Sequence, residues 1–348
     1  MRFSLFIHME RWDNSISHEE HWNNLVELVQ LAEAGGFGTV WTGEHHSMEY
    51  TVAPNPMVSL AALAGKTSTI RLGAGTIIAP FWNPVRAAGE TALLDVISGG
   101  RAEIGVARGA YQFEFDRLAG GLSAKDGGTY LRELIPAMKK LWEGDYAHDG
   151  EHWSFPTSTS VPKPVQGGGP TVWVAARTAE THDFAVAEGC NVQVTPLMKD
   201  DAEVKDLKDK FHGAVANHPE IERKPEIMVL RHTFVHSPDE PEAWRPAAEA
   251  VSRYYRTFSS WAFGKKTPEN GFLDPQPLET VAERPEFDVD SLHKSAMIGT
   301  PEEVTDRLKN YEDMGYDEYS YWIDNSMAHE EKKASLQLFI DQVVPNFR

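Results

Sequence analysis

His45 and His46 stand side by side in WTGEHHSMEY, residues 41–50, directly after an apolar run and beside Glu44. Neighbouring residues on a strand point to opposite faces, so the two imidazoles cannot grip one ion together. The pair divides instead: one ring faces a cavity and the other faces packing. An imidazole titrates close to neutral pH, which suits the cavity-facing member to giving or taking a proton. A second group lies at AARTAET, 175–181, where Ala175 closes an apolar run and Arg177, Thr178 and Thr181 open a helical stretch. A guanidinium, two hydroxyls and free backbone N–H groups at a helix start suit a dianionic phosphate. Arg108, in ARGAY at 107–111 with Tyr111, is placed to close the clamp from the other side. In a chain this acidic both arginines can equally pair with carboxylates, and the sequence leaves the two readings open. GAGT at 73–76 adds Gly73 and Gly75, where no Cβ keeps a flat ligand from the backbone.

Other chemistries fit poorly. Barrel metallohydrolases place two histidines on one strand with a single residue between them, and GEHH lacks that spacing. His232 and His236 share a strand face but sit roughly 13 Å apart along it. His182, inside a helix, reads as a surface or satisfied core position. No G-x-S-x-G elbow occurs, and Cys190, the one cysteine, has neither a disulfide partner nor a suggested base. GAGT does not match G-x-G-x-x-G, which argues against a dinucleotide-binding sheet.

These residues need strands that end on a common rim. The chain has 348 residues, 41% hydrophobic and 24% charged, enough for a large core. Its net charge of −19 opposes nucleic-acid backbones and anionic membranes, so any phosphate must meet a local basic pocket. The opening MRFSLFIHMERW is interrupted by His8 and Glu10, too soon for a signal or spanning segment, and predicts a cytoplasmic protein. Strand and helix patterns then alternate. A strand over 3–8 precedes a helix opened by Ser17 and Glu20 in an S-x-x-E box. Strands follow at TVWTGE, IRLGAGTII, RAEIGVARG, TVWVAA, NVQVTP, EIMVLRHTFV and EYSYWID, with helices over about 126–143, 178–188, 200–217 and 239–258 among those between. About eight strands in such alternation close a (β/α)8 TIM barrel, with its site at the C-terminal strand ends. No composition break divides residues 1–348, so one domain is expected. The irregular segment near 260–296 is long for a barrel connection and reads either as a lid or as a disordered insertion. Among the aromatics, Phe81, Trp82, Tyr111, Phe113, Trp173, Tyr321 and Trp322 are core candidates, several of them near strand ends.

GEHHSMEYTVAPNP, RLGAGTIIAPFWNPVRAAGETALLDVISGGR, GVARGAYQFEF and PVQGGGPTVWVAARTAET, in that order and with the late GTPEEV, resemble the bacterial luciferase-like flavin monooxygenases, most closely the luciferase α chain. The resemblance implies a (β/α)8 barrel that takes reduced FMN from a separate NAD(P)H:flavin reductase, adds O2 to form a flavin C4a-(hydro)peroxide, and oxygenates a small organic substrate. It implies that His45 is the catalytic histidine and His46 a structural one. It puts a non-prolyl cis peptide at Gly75–Thr76 against the ring, and Arg108, Arg177, Thr178 and Thr181 at the phosphate, with Tyr111 and Ala175 alongside. It also implies a homodimer. Two departures stand out: Ala107 replaces a reactive cysteine and Arg177 a glutamate, which leaves flavin binding intact and disfavours a long-chain aldehyde. F420-dependent hydride transfer on the same fold, or a non-catalytic flavin-binding partner subunit, are the alternative readings.

Overall fold

The structure, a computed structural model, describes residues 1–264, 266–324 and 326–347. It opens with β1 (Arg2–Phe6), α1 (His18–Ala34), β2 (Thr39–Thr42), α2 (Pro56–Ala64), β3 (Arg71–Ile78), α3 (Pro84–Ser98) and β4 (Ala102–Ala107). Then come α4 (Gln112–Leu118), α5 (Gly127–Glu143), a hairpin of β5 (Tyr146–Asp149) and β6 (Ser154–Ser158), β7 (Thr171–Ala175), α6 (Ala179–Ala187) and β8 (Asn191–Val194). The last part holds α7 (Asp201–Asn217), β9 (Ile227–Val235), α8 (Trp244–Phe263), α9 (Leu278–Val281), α10 (Val289–Ser295) and β10 (Met297–Gly299). α11 (Pro301–Asp313), β11 (Glu318–Trp322) and α12 (His329–Leu338) complete it.

Among the described residues, eight parallel strands close on themselves in the order β1-β2-β3-β4-β7-β8-β9-β11, with β11 returning to β1 through Arg2↔Glu318 to Phe6↔Trp322. They are the eight strands expected from the sequence. Helices cover the outside, so each strand is buried on both faces and reads as an apolar run without alternation; all nine residues of β9 are buried. Local signals set the helix starts. Ser17 caps α1 by accepting from the Glu20 N–H at 3.1 Å, as its box predicts. Thr300 and Glu303 form a reciprocal capping box on α11.

Side chains fill the barrel interior. The Trp41 and Trp173 rings meet edge to face at 5.5 Å, and their indole N–H groups donate to the buried carboxyl groups of Glu318 and Glu103. Gly73 is required beside them, because a Cβ there would fall onto the Trp41 ring.

Three features differ from the sequence reading. The stretch between the helix over 126–143 and the Pro/Gly-rich VPKPVQGGGP, to which no element was assigned from the sequence, carries the antiparallel β5–β6 hairpin. Short β10 extends β9 outward through Met297↔Thr233, beyond the barrel. The segment near 260–296 holds α9, α10 and a Glu269↔Phe272 bridge, and it buries Val281, Phe287 and Leu292 against α8. Its described residues form no wall of the main cavity; Gly271 instead accepts from the Glu49 N–H and braces the loop that follows β2.

Candidate active site

The C-terminal strand ends enclose a cavity of about 710 Å³. Of the residues singled out in the sequence, it brings together His45, Gly75, Thr76, Arg108, Tyr111, Ala175, Arg177, Thr178 and Thr181, drawn from β3, β7, α6 and the loops that follow β2, β4 and β7. Parallel strands in register deliver their last residues to one rim, so positions scattered through the chain meet there. The Gly75–Thr76 peptide is cis, as the resemblance implies.

The two histidines do divide their work, though on the loop after β2 and not on the strand itself. His45 faces the cavity, and its Nδ1 lies 3.3 Å from both carboxylate oxygens of Glu114. Glu114 is fully buried and also accepts from the His46 backbone N–H at 2.7 Å. One carboxylate on α4 therefore fixes both the ring and the backbone of the histidine pair. His46 turns away, with Nε2 at 2.9 Å from Glu44 and its ring edge-on to Phe81. Glu44 in turn accepts from the Ile78 N–H at 2.7 Å and from the Trp82 Nε1–H at 2.8 Å, a structural duty that ties the loop to the end of β3.

Elsewhere on the cavity wall Thr178 caps α6, accepting from the Thr181 N–H at 3.3 Å, and the two hydroxyls lie 3.0 Å apart. Arg108 donates to the Ala124 carbonyl at 3.3 Å and meets no carboxylate among the described residues. Arg177 is different: its guanidinium pairs with Glu203 on α7 and donates to the Thr195 carbonyl at 3.0 Å. The competing carboxylate-pairing reading thus holds for Arg177 and fails for Arg108. Lys125, Thr129 and Arg132 line the same cavity, with Arg132 held by Glu180 at 2.8 Å. Sequence reading missed these three because they lie on and before α5, away from any strand tip.

The remaining wall is aromatic. Tyr111 meets His45 at 5.3 Å and Phe258 at 5.7 Å between ring centroids, while Tyr254 meets Trp322 at 5.0 Å. Burial raises the phenols of Tyr111 and Tyr254 well above their ordinary range, so both remain protonated. Of the seven aromatics weighed in the sequence, only Tyr111 and Trp322 line the cavity. Trp173 and Tyr321 are core, and His182 is buried with Nδ1 at 2.9 Å from the Thr178 carbonyl. His8, in the sequence a mere interruption of an apolar run, also lines the cavity.

The residues present fit a flavin mononucleotide. The volume lies within the range of cofactor pockets. The Arg108 guanidinium without a carboxylate partner among the described residues, the Lys125 ammonium and the two hydroxyls at the start of α6 form a donor set for a dianion, and Phe6, Tyr111, Tyr254, Phe258 and Trp322 add flat aromatic surface to the same wall.

Comparison with known proteins gives concordant findings. The family model described as luciferase-like monooxygenase matches residues 1–318. The oxygenase component of a flavin-dependent trigonelline monooxygenase from Acinetobacter baylyi is 49% identical over 347 residues, covering 100% of this chain and 96% of that protein. A monooxygenase structure from Streptomyces bottropensis superposes with a TM-score of 0.83 at 24% identity, covering 100% of both chains. The oxygenating constituent of 3,6-diketocamphane monooxygenase from Pseudomonas putida, solved in complex with FMN, gives 0.74 at 19% identity, covering 99% of this chain and 98% of that one.

Proposed function

Because the chain belongs to the luciferase-like monooxygenase family and is a flavin-dependent enzyme of that class, we propose that it is the oxygenase of a two-component system: it binds reduced FMN released by a separate NAD(P)H:flavin reductase and transfers one atom of O2 to a small organic molecule. The observation that carries this reading is that one cavity joins cations and the Thr178 and Thr181 hydroxyls with His45 and a set of aromatic rings.

Arg108, Thr178 and Thr181 hold the phosphate, with Arg177 as an outer, already neutralised contributor. Gly75, Thr76, Ala175 and Tyr111 border the ring system. Bound reduced flavin supplies the electrons that activate O2. The protein's own part is to orient, to exclude water and to manage a proton. Tyr111, Tyr254, Phe258 and Trp322 keep the aromatic end dry, which suppresses side reactions with water. Glu114 engages Nδ1 of His45, which leaves Nε2 to give or take the proton.

For the substrate we take the lead from the Acinetobacter relative, named for trigonelline, and propose a small nitrogen heteroaromatic. The aromatic wall supports a flat ring in place of a long aldehyde. Residues 1–348 act as one cytoplasmic barrel domain and pair as a homodimer. Leu93, Val96 and Ile97 form an exposed apolar strip along α3, with Val58 exposed on neighbouring α2, and this supports the pairing. No helix among the described residues is long and apolar enough to cross a membrane.

The test supplies the purified chain with FMN, an NADH-driven flavin reductase, 18O2 and trigonelline or related heteroaromatics. Product carrying a single 18O supports the proposal. Hydride transfer from reduced F420 without O2 uptake overturns it.

A further inference from the structure

His8 has no part in the proton and phosphate chemistry above, yet it stands in the wall of the same cavity. It follows β1 by two residues, and its ring lies between Phe6, His45 and Trp322 at centroid distances of 4.4, 5.4 and 5.4 Å. The side chain is more than nine-tenths buried, and Nδ1 is buried without a partner. Among the described residues neither ring nitrogen makes a hydrogen bond. Room for the ring is made by Gly43, where a Cβ would lie 2.8 Å from Nε2. The backbone is anchored separately, since the His8 and Met9 N–H groups both donate to Asp324.

A polar group buried without a partner is destabilising and calls for a reason. The neighbourhood supplies one. The His8 ring packs on Phe6, His45 and Trp322, and among the described residues neither the lysine nor the arginines of the cavity wall (Arg108, Lys125, Arg132 and Arg177) touch it or act on it electrostatically. Burial, and then the nearby His45 and His232, push the His8 imidazole well below its ordinary range and keep it uncharged. An uncharged donor among rings recognises a neutral or delocalised oxygen, not a phosphate.

We propose that His8 is the specificity-determining residue of the site: it gives a hydrogen bond to an oxygen-bearing substituent on a small planar aromatic substrate stacked in the ring-lined end. This rests on the reading of the cavity as an oxygenase site and names the substrate class that it accepts. The test measures dissociation constants on the FMN-loaded protein for two uncharged probe pairs, nicotinamide against 3-methylpyridine and benzamide against toluene. Each pair shares a ring and exchanges a carboxamide for a methyl. The wild-type protein is expected to favour the carboxamide member at least tenfold. His8→Phe is expected to lose most of that preference, and His8→Asn to recover part of it, with FMN affinity within threefold throughout. In turnover His8→Phe raises KM far more than it lowers kcat. Equal discrimination by wild type and His8→Phe overturns the assignment, as does a wild-type protein that binds neither member of either pair. If His8→Phe does not fold, His8→Asn and His8→Gln decide by the same preference ratio. Failure to form oxygenated product while the His8-dependent preference persists contradicts the proposed function and leaves the recognition role standing.

Discussion

Replacing Glu114 by glutamine tests how the catalytic imidazole is held. The carboxylate is fully buried and has two duties, the His46 N–H at 2.7 Å and Nδ1 of His45 at 3.3 Å. A glutamine carbonyl can still accept from the His46 amide, so the loop keeps its place. The bond to His45 changes from charge-assisted to neutral, a difference of about 0.5–2 kcal/mol. If the ring must be held so that Nε2 meets the reacting centre, kcat falls about 2- to 30-fold. FMN affinity changes little, because the phosphate end uses other residues. Glu114→Ala removes both partners and strands a buried N–H, adding about 1–3 kcal/mol of instability and a lower Tm. Rapid mixing of enzyme and reduced FMN with O2 and substrate gives the oxygenation rate, a flavin titration the affinity, and a thermal melt the stability. A Glu114→Gln enzyme with wild-type kcat, or one that loses flavin affinity in parallel with rate, refutes the reasoning.

Arg108→Ala is expected to weaken FMN binding about 10- to 150-fold, the range of a lost charge-assisted contact. Arg177→Ala costs less, since that guanidinium already serves Glu203; flavin fluorescence titration orders the two, and the reverse order contradicts the assignment. Burial and the neighbouring Glu103 raise the Glu318 carboxyl from 4.5 to about 7, so the folded state holds its proton more tightly than the unfolded chain. Stability is then full below pH 4.5 and falls as pH rises through 7, by on the order of 3 kcal/mol. Glu318→Gln flattens this slope and raises the Tm at pH 8; an unchanged pH dependence of denaturant unfolding contradicts it. Gly73→Ala drives a methyl into the Trp41 ring inside the barrel and is expected to cost several kcal/mol, measured by the same unfolding; a wild-type midpoint contradicts it.

The barrel was legible because each of its eight strands is an apolar run followed by a helix start, a local pattern. The rim residues were legible for the same reason: His45, Arg108 and Thr178 follow strands directly, and the barrel's geometry gathers whatever follows a strand. What escaped depends on contacts that sequence distance hides. Glu114 reaches His45 across 69 positions and Glu203 reaches Arg177 across 26. Its flanking phenylalanines were the one sign that Glu114 is buried. His8 read as a break in a strand because a lone polar residue in an apolar run looks the same whether it faces solvent or a cavity. The β5–β6 hairpin alternates only weakly and lies between a helix and a Pro/Gly-rich loop, which masked it. Residues near 260–296 pack by scattered single anchors such as Phe287 and Leu292, which carry no periodicity.

Whether one rim holds the flavin by its phosphate and presents its ring to His45 is decided by comparing the dissociation constants of reduced FMN and reduced riboflavin, which differ only in that phosphate. FMN is expected to bind at least tenfold more tightly, and Arg108→Ala to erase most of the difference. Equal affinities in the wild-type protein would contradict this placement.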